Sequence, residues 1–276
     1  MLLQKNSYKI MNLTRPPIVL VFAGNDPTGG AGLCADIQAL ASQGCHAAPV
    51  VTCITVQNTH NVMQNLPLPG IQVAAQAEAI LADMPIAACK IGLLGSVEII
   101  AAVQQILLQH PQLPVILDPI LAAGGGYALA TSDIRQAMIE KLLPLTQILT
   151  PNSQEARALT NHPDSLDTAA IQLMALGCRF ICITGTHENT TQVTNTLYGN
   201  GRKLKSWNWN RLPHEYHGSG CTLAASLAGL MAQGKDVETA VAEAQTYTWQ
   251  SLHNGYQPGL GQWLPNRFYW ASQEIV

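Results

Sequence analysis

From Ile18 onward, short continuous apolar runs alternate with longer amphipathic stretches, and that rhythm leaves few architectures open. The runs Ile18–Ala23, Ala47–Thr55, Ala88–Ile91, Val115–Asp118, Ile148–Thr150 and Phe180–Thr184 read as strands. They lack the in-out alternation of a half-exposed sheet, so both faces of each must be covered. The segments between them carry helical spacing. These are Ala31–Gln43, closed by Gly44, then Gly70–Asp83, Val97–Gln109, a helix running to about Lys141, and two segments within Ser153–Leu176. Val193–Tyr198 and Lys203–Asn208, separated by Gly199-Asn200-Gly201, predict an antiparallel hairpin. Helices over Cys221–Gln233 and Val237–Leu252 follow. The expected fold is α/β, a mostly parallel central sheet with helices on both faces and a small antiparallel hairpin. No repeat or linker divides the chain, so one domain over residues 16–276 is expected behind a flexible extension of residues 1–15. Met11 is an alternative start within that extension.

Composition narrows the function. Apolar residues make up 47% and charged residues only 11%, against about 25% in ordinary domains, so much of the chain is buried or lies at a subunit interface. A net charge of −3 offers no basic footprint for nucleic acid or an anionic membrane. No apolar run approaches the roughly 20 residues that span a bilayer, and Lys5, Asn6, Lys9 and Asn12 interrupt any signal-peptide core. The seven cysteines form neither a C-x-x-C pair nor a zinc-ligand spacing. Free thiols and a cytoplasmic setting are expected. With no basic residues interleaved, the five tryptophans read as core or interface anchors rather than a stacking platform.

In such folds ligands collect beyond the carboxyl ends of the strands, and the unusual residues fall there. Gly24-Asn25-Asp26-Pro27-Thr28-Gly29-Gly30 follows the first strand and Gln57-Asn58-Thr59 the second. Asp118-Pro119, Thr150-Pro151-Asn152 and Thr184-Gly185-Thr186-His187 end three others. Gly30-Ala31-Gly32-Leu33-Cys34-Ala35 matches the dinucleotide fingerprint formally. However, six residues separate it from Ala23, and Val50–Asn61 lacks the expected acidic partner. The P-loop pattern is absent. The strongest local signal is His217-Gly218-Ser219-Gly220-Cys221-Thr222, a glycine turn entering a small-residue helix. Its free N–H groups and dipole favour an anion such as a transferring phosphoryl group. Cys221 on the first turn is either a small buried side chain or a thiol whose pKa the helix terminus lowers toward a base. Asp118 is either a surface carboxylate or a ligand aimed at Mg²⁺ and its waters. Asn152 and Glu155 share a helix face, as ordinary caps or as further oxygen donors. Asp36 is either solvated or functional, and His60, His187 and His217 are loop residues flanking turns.

Together these residues resemble the ribokinase-like superfamily, and within it the hydroxymethylpyrimidine and phosphomethylpyrimidine kinases of thiamine biosynthesis. The resemblance runs from about residue 18 to 252. It rests on Ala23–Gly32 with Asp36, Gln57-Asn58-Thr59, Lys90-Ile91-Gly92-Leu93-Leu94, Leu117-Asp118-Pro119, Thr150-Pro151-Asn152 with Glu155, and His217–Thr222. It implies a ribokinase-like three-layer sandwich and phosphorylation of 4-amino-5-hydroxymethyl-2-methylpyrimidine or its monophosphate, with ATP as donor and Mg²⁺ as cofactor. Gly24, Asp36 and Gln57 would meet the pyrimidine, with Leu93 and Ile120 as apolar walls. Gly218, Gly220 and Cys221 would hold the transferring phosphoryl group. Asp118 and Glu155 would order Mg²⁺, and Asn152, Thr184, Gly185, His187 and Ser219 would flank the nucleotide. A homodimer is implied by the relatives and by the Trp263, Phe268, Tyr269 and Trp270 tail. The chain departs from the pattern at Gly124 and Thr184, where many relatives carry Lys. Lys90 and the N–H groups of Gly124–Gly126 are the candidates to compensate. Two other readings are a vitamin B6 (pyridoxal-type) kinase of the same superfamily and a non-catalytic pyrimidine-phosphate sensor.

Overall fold

Strand β1 (Ile18–Asn25) lies near the middle of the sheet and sends Leu20 and Phe22 to one face and Val19 and Val21 to the other, all fully buried. That two-sided burial is why the run shows no polar alternation. The structure, a computed structural model, describes residues 15–160 and 163–274. The expected extension of residues 1–15 lies outside them except for Arg15.

After β1 come α1 (Gly32–Ser42), β2 (His46–Gln57), β3 (Val62–Pro67), α2 (Gly70–Asp83), β4 (Ile86–Ile91), α3 (Val97–Gln109), β5 (Val115–Leu117) and α4 (Ser132–Lys141). Next are β6 (Ile148–Leu149), α5 (Ser153–Leu159), α6 (Leu166–Ala175), β7 (Phe180–Ile183), β8 (Gln192–Gly199), β9 (Arg202–Asn210), α7 (Ser219–Ala232) and α8 (Val237–His253). Short 3₁₀ turns cover Leu143–Leu145 and Tyr269–Glu274. The nine strands form one sheet in the order β3-β2-β1-β4-β5-β6-β7-β8-β9. Its centre is parallel, and β3, β8 and β9 add antiparallel pairs at the edges. Helices α2 to α6 cover the Leu20 and Phe22 face, whereas α1, α7 and α8 cover the Val19 and Val21 face. This is the expected α/β three-layer sandwich. The first hairpin, β2–β3, is an addition to it. β3 escapes sequence reading because only Val62 along it is buried, and pairing with β2 rather than local pattern makes it a strand.

Helix ends follow local rules. Gly44 closes α1 at φ 72°, Ser96 and Thr131 cap α3 and α4, and Asn152 and Glu155 form a reciprocal capping box on α5. Parallel strands direct all their carboxyl ends to one edge, so the loops after β1, β4, β5, β6 and β7 converge there. Gly32 sits at that edge with φ 57°, and a Cβ on it would strike the Gly24 carbonyl. We predict that Gly32→Ala lowers unfolding free energy by about 1–3 kcal/mol, the usual strain of a left-handed non-glycine residue. A urea midpoint equal to that of the wild type would contradict it.

Candidate functional site

The converging loops enclose a cavity of about 900 Å³, near the upper end for small-molecule sites. Gly24, Gln57, Leu93, Ile120, Asp118, Asn152, Glu155, Thr184, His187, Gly218, Ser219, Gly220 and Cys221 all line it. Asp36 and Gly185 are not among its lining residues. Gly24 leaves no room for a side chain, since a Cβ there would lie 2.6 Å from Cys53 Sγ. Gly185 is instead held by its N–H to Asn195 Oδ1 at 3.1 Å, and a Cβ on it would meet the Thr194 carbonyl.

The phosphoryl candidate is the turn entering α7. Gly218 caps the helix at φ 85°, a conformation glycine adopts without strain, and no side chain caps the first turn. A Cβ at Gly220 would lie 3.5 Å from Asp118 Oδ2, so that carboxylate stands beside the turn. Cys221 is buried, and burial pushes its thiol up to about 12 against the opposing pull of Lys90. Of the two readings of this residue, burial favours the small buried side chain over a thiol activated by the helix terminus.

Asp36 is corrected as well. It is fully buried on α1, and its Oδ2 accepts from Lys90 Nζ at 2.9 Å, also fully buried. It is therefore neither solvated nor a cavity wall, and it reaches the site through Lys90, which does line the cavity. Burial pushes the Asp36 carboxyl above its ordinary value although Lys90 opposes this. Burial likewise works against the Lys90 charge, yet Asp36, Cys221 and Asp118 together hold its pKa above the ordinary lysine value. Asp118 is raised chiefly by burial. Glu155 is raised by burial and by the charge of Asp118. Both Glu155 oxygens already accept from backbone, Oε2 from Asn152 N–H at 2.9 Å and Oε1 from Leu121 N–H at 3.5 Å.

Several functional candidates had no sequence assignment. Asp26 Oδ2 pairs with His217 Nε2 at 2.8 Å, tying the loop after β1 to the turn before α7. Burial opposes ionisation of Asp26, but the hydrogen bond and charge of His217, with the Thr28 donors, hold it below the ordinary carboxylate range. Both residues belong to quoted motifs, and only their pairing across the fold was hidden. Trp209 and Trp249 line the cavity with ring centroids 6.2 Å apart, so these two are more than core anchors. Gln245 Oε1 accepts from Trp209 Nε1 at 3.0 Å and Asn195 Nδ2 at 2.9 Å, which fixes that end of the site. The Gly124–Gly126 loop packs where a Cβ at Gly124 would lie 2.9 Å from Gln262 Nε2, so a larger residue there requires Gln262 to move. The Gly126 N–H is engaged by the Ala123 carbonyl at 2.8 Å. No group of three or more His, Cys, Asp or Glu side chains able to hold a metal occurs among the described residues.

The sequence profile of a family described as phosphomethylpyrimidine kinase matches residues 26–266. A hydroxymethylpyrimidine/phosphomethylpyrimidine kinase of Haemophilus influenzae is 36% identical, covering 93% of this chain and 98% of the relative. The crystal structure of a Clostridium difficile phosphomethylpyrimidine kinase superposes with TM-score 0.75 at 29% identity, covering 86% of this chain and 99% of that one. A Bacillus subtilis pyridoxal kinase in an ADP complex superposes with TM-score 0.84 at 25% identity, covering 93% and 99%.

The buried pair gives a stability prediction. Lys90→Met leaves Asp36 buried without its partner and is expected to lose about 3–5 kcal/mol. The double variant Asp36→Leu/Lys90→Met should recover most of it, as read by urea denaturation. A double variant no more stable than Lys90→Met would show that the pair is not the source of the loss.

Proposed function

Because the chain belongs to the phosphomethylpyrimidine kinase family, and is therefore a phosphotransferase, we propose that it moves the terminal phosphoryl group of ATP onto 4-amino-5-hydroxymethyl-2-methylpyrimidine and onto its monophosphate. The observation that carries this reading is the uncapped glycine turn of α7 opening into the same cavity as Gln57 and Asp118. At one end, Gln57 offers donor and acceptor to the aminopyrimidine edge, with Leu93 and Ile120 against the ring faces. At the other, Thr184, His187, Asn152 and Ser219 flank the nucleotide, and Trp209 and Trp249 supply an aromatic wall beside it. The N–H groups of Ser219, Gly220 and Cys221 receive the charge that develops on the phosphoryl oxygens.

Mg²⁺ fits the donor set. Asp118 and Glu155 are hard oxygen donors in an open cavity, and this ion keeps several waters while resting on one or two carboxylates and substrate phosphates. Asp118 would hold it directly and Glu155, already occupied by two N–H donors, through water. When bound, the ion neutralises phosphate charge. Lys90 stands nearby as the fixed cation that compensates for Gly124 and Thr184. Phosphoryl transfer of this kind is loose, so positioning and charge carry most of the catalysis; as the new O–P bond forms and the bond to ADP breaks, the hydroxyl proton passes late to a phosphoryl oxygen or to water. A neutral Cys221 thiol is compatible with that, its S–H a weak donor to the phosphoryl oxygens beside the backbone N–H groups rather than a base.

The curated relatives support the pyrimidine over the pyridoxal reading, as does the carboxamide of Gln57. The outward-facing Ile54, Val56, Met63 and Leu66 on the β2–β3 edge support the expected homodimer, and the free thiols support a cytoplasmic setting. No described helix is long and apolar enough to cross a membrane.

With Mg·ATP, kcat/KM for the hydroxymethylpyrimidine should exceed that for pyridoxal, and the reverse order would favour the vitamin B6 reading. Gln57→Ala should raise pyrimidine KM about tenfold with little change in kcat, the worth of one good hydrogen bond. Cys221→Ala should lower kcat more than it changes KM. Equal effects on both constants in both variants would contradict this division of roles.

A further inference from the structure

Arg267 lies beyond α8 in the C-terminal segment, yet its side chain ends behind the turn that opens α7. It is 2% exposed, and among the described residues no carboxylate comes within ion-pair distance of it. Nε donates to Thr222 Oγ1 at 2.9 Å and Nη1 to Gln38 Oε1 at 3.1 Å. Nη2 donates to the Gly30 carbonyl at 2.5 Å and reaches the Gly218 carbonyl at 3.5 Å. A buried guanidinium whose direct partners are all neutral, with the Asp36 carboxylate acting on it only from beyond ion-pair distance, is costly to keep.

We propose that Arg267 is a positioning residue for phosphoryl transfer, locking the Gly218–Ser219 peptide so that its N–H faces the transferring group. The inference rests on the reading of that turn as the phosphoryl cradle. A trans peptide points its C=O and N–H in opposite directions. The Gly218 oxygen is held from behind by Arg267, by Thr222 N–H at 3.0 Å and by Thr222 Oγ1 at 2.7 Å. The Ser219 N–H is thereby turned the other way, and Ser219 lines the cavity. The same guanidinium grips Gly30, whose peptide partner Ala31 donates to Asp26 Oδ2 at 2.7 Å, and Asp26 in turn holds His217. Arg267 thus closes a ring of contacts that fixes the phosphoryl turn against the glycine loop after β1.

The test is steady-state kinetics with Mg·ATP and the hydroxymethylpyrimidine for the wild type, Arg267→Met, Arg267→Lys and Thr222→Val, with melting temperatures alongside. Arg267→Met should lower kcat about 100-fold, as loss of one well-placed oxyanion donor does, while pyrimidine KM stays within about threefold. Arg267→Lys should restore part of the loss. Thr222→Val, which keeps the shape but removes the relay oxygen, should lower kcat about tenfold. Thr222→Val decides the matter if Arg267→Met does not fold. Folded variants with wild-type kcat, or with KM rising in step with the fall in kcat, would overturn the inference while leaving an active wild type and the kinase reading intact. A wild type that leaves ATP untouched would overturn both.

Discussion

The Lys90 side chain is fully buried at the floor of the cavity, and the arrangement of the site follows from how its charge is satisfied. It projects from β4 toward the layer formed by α1 and α7, where it meets Asp36 on α1 and lies close enough to Asp118 for that charge to act on it. An unpaired charge at this depth would be prohibitive, so α1 must dock with Asp36 facing inward. Docking α1 that way sets Ala31 and Gly32 at the cavity edge, and α7 packs against the same helix to bring the turn at Gly220 beside Asp118. One buried ion pair thereby couples the packing of the sheet to the placement of the anion-binding turn.

The cavity is graded from end to end. Apolar walls and a carboxamide occupy the side near β2, and a helix terminus with carboxylates lies at the centre. Trp209, held by Gln245, and Trp249, held by the Asn210 carbonyl, stand at β9. On the reading proposed above, the first region takes a flat aromatic substrate with one reactive arm, the second a polyphosphate and the third a nucleobase. Lys90 and Arg267 act from beneath and behind the turn, whereas the Gly124 and Thr184 positions bring no cation into the cavity.

How far this was legible from sequence depends on where each feature is encoded. Strands buried on both faces declare themselves as apolar runs, and the spans Gly70–Asp83 and Val97–Gln109 are read from local pattern alone. The glycine turns are local too. β3 is not, because Met63 and Leu66 face outward and only its pairing with β2 makes Val62–Pro67 a strand. Asp36 looks like a helix-surface residue until Lys90, 54 positions away, is brought to it. For Cys221, the local rule that a helix terminus lowers a thiol pKa points the wrong way, since desolvation is a property of the packed molecule. Arg267 stands outside every motif, and its side-chain hydrogen bonds reach residues more than 40 positions back along the chain.

The central claim is that this cavity passes a phosphoryl group from ATP to a hydroxymethylpyrimidine across the Gly218 turn. A phosphorus NMR time course with Mg·ATP and the hydroxymethylpyrimidine tests it most directly. The account predicts a pyrimidine monophosphate signal that rises and then gives way to the diphosphate as ATP becomes ADP. Binding of the pyrimidine with ATP left intact would contradict it and leave a sensor in place of an enzyme.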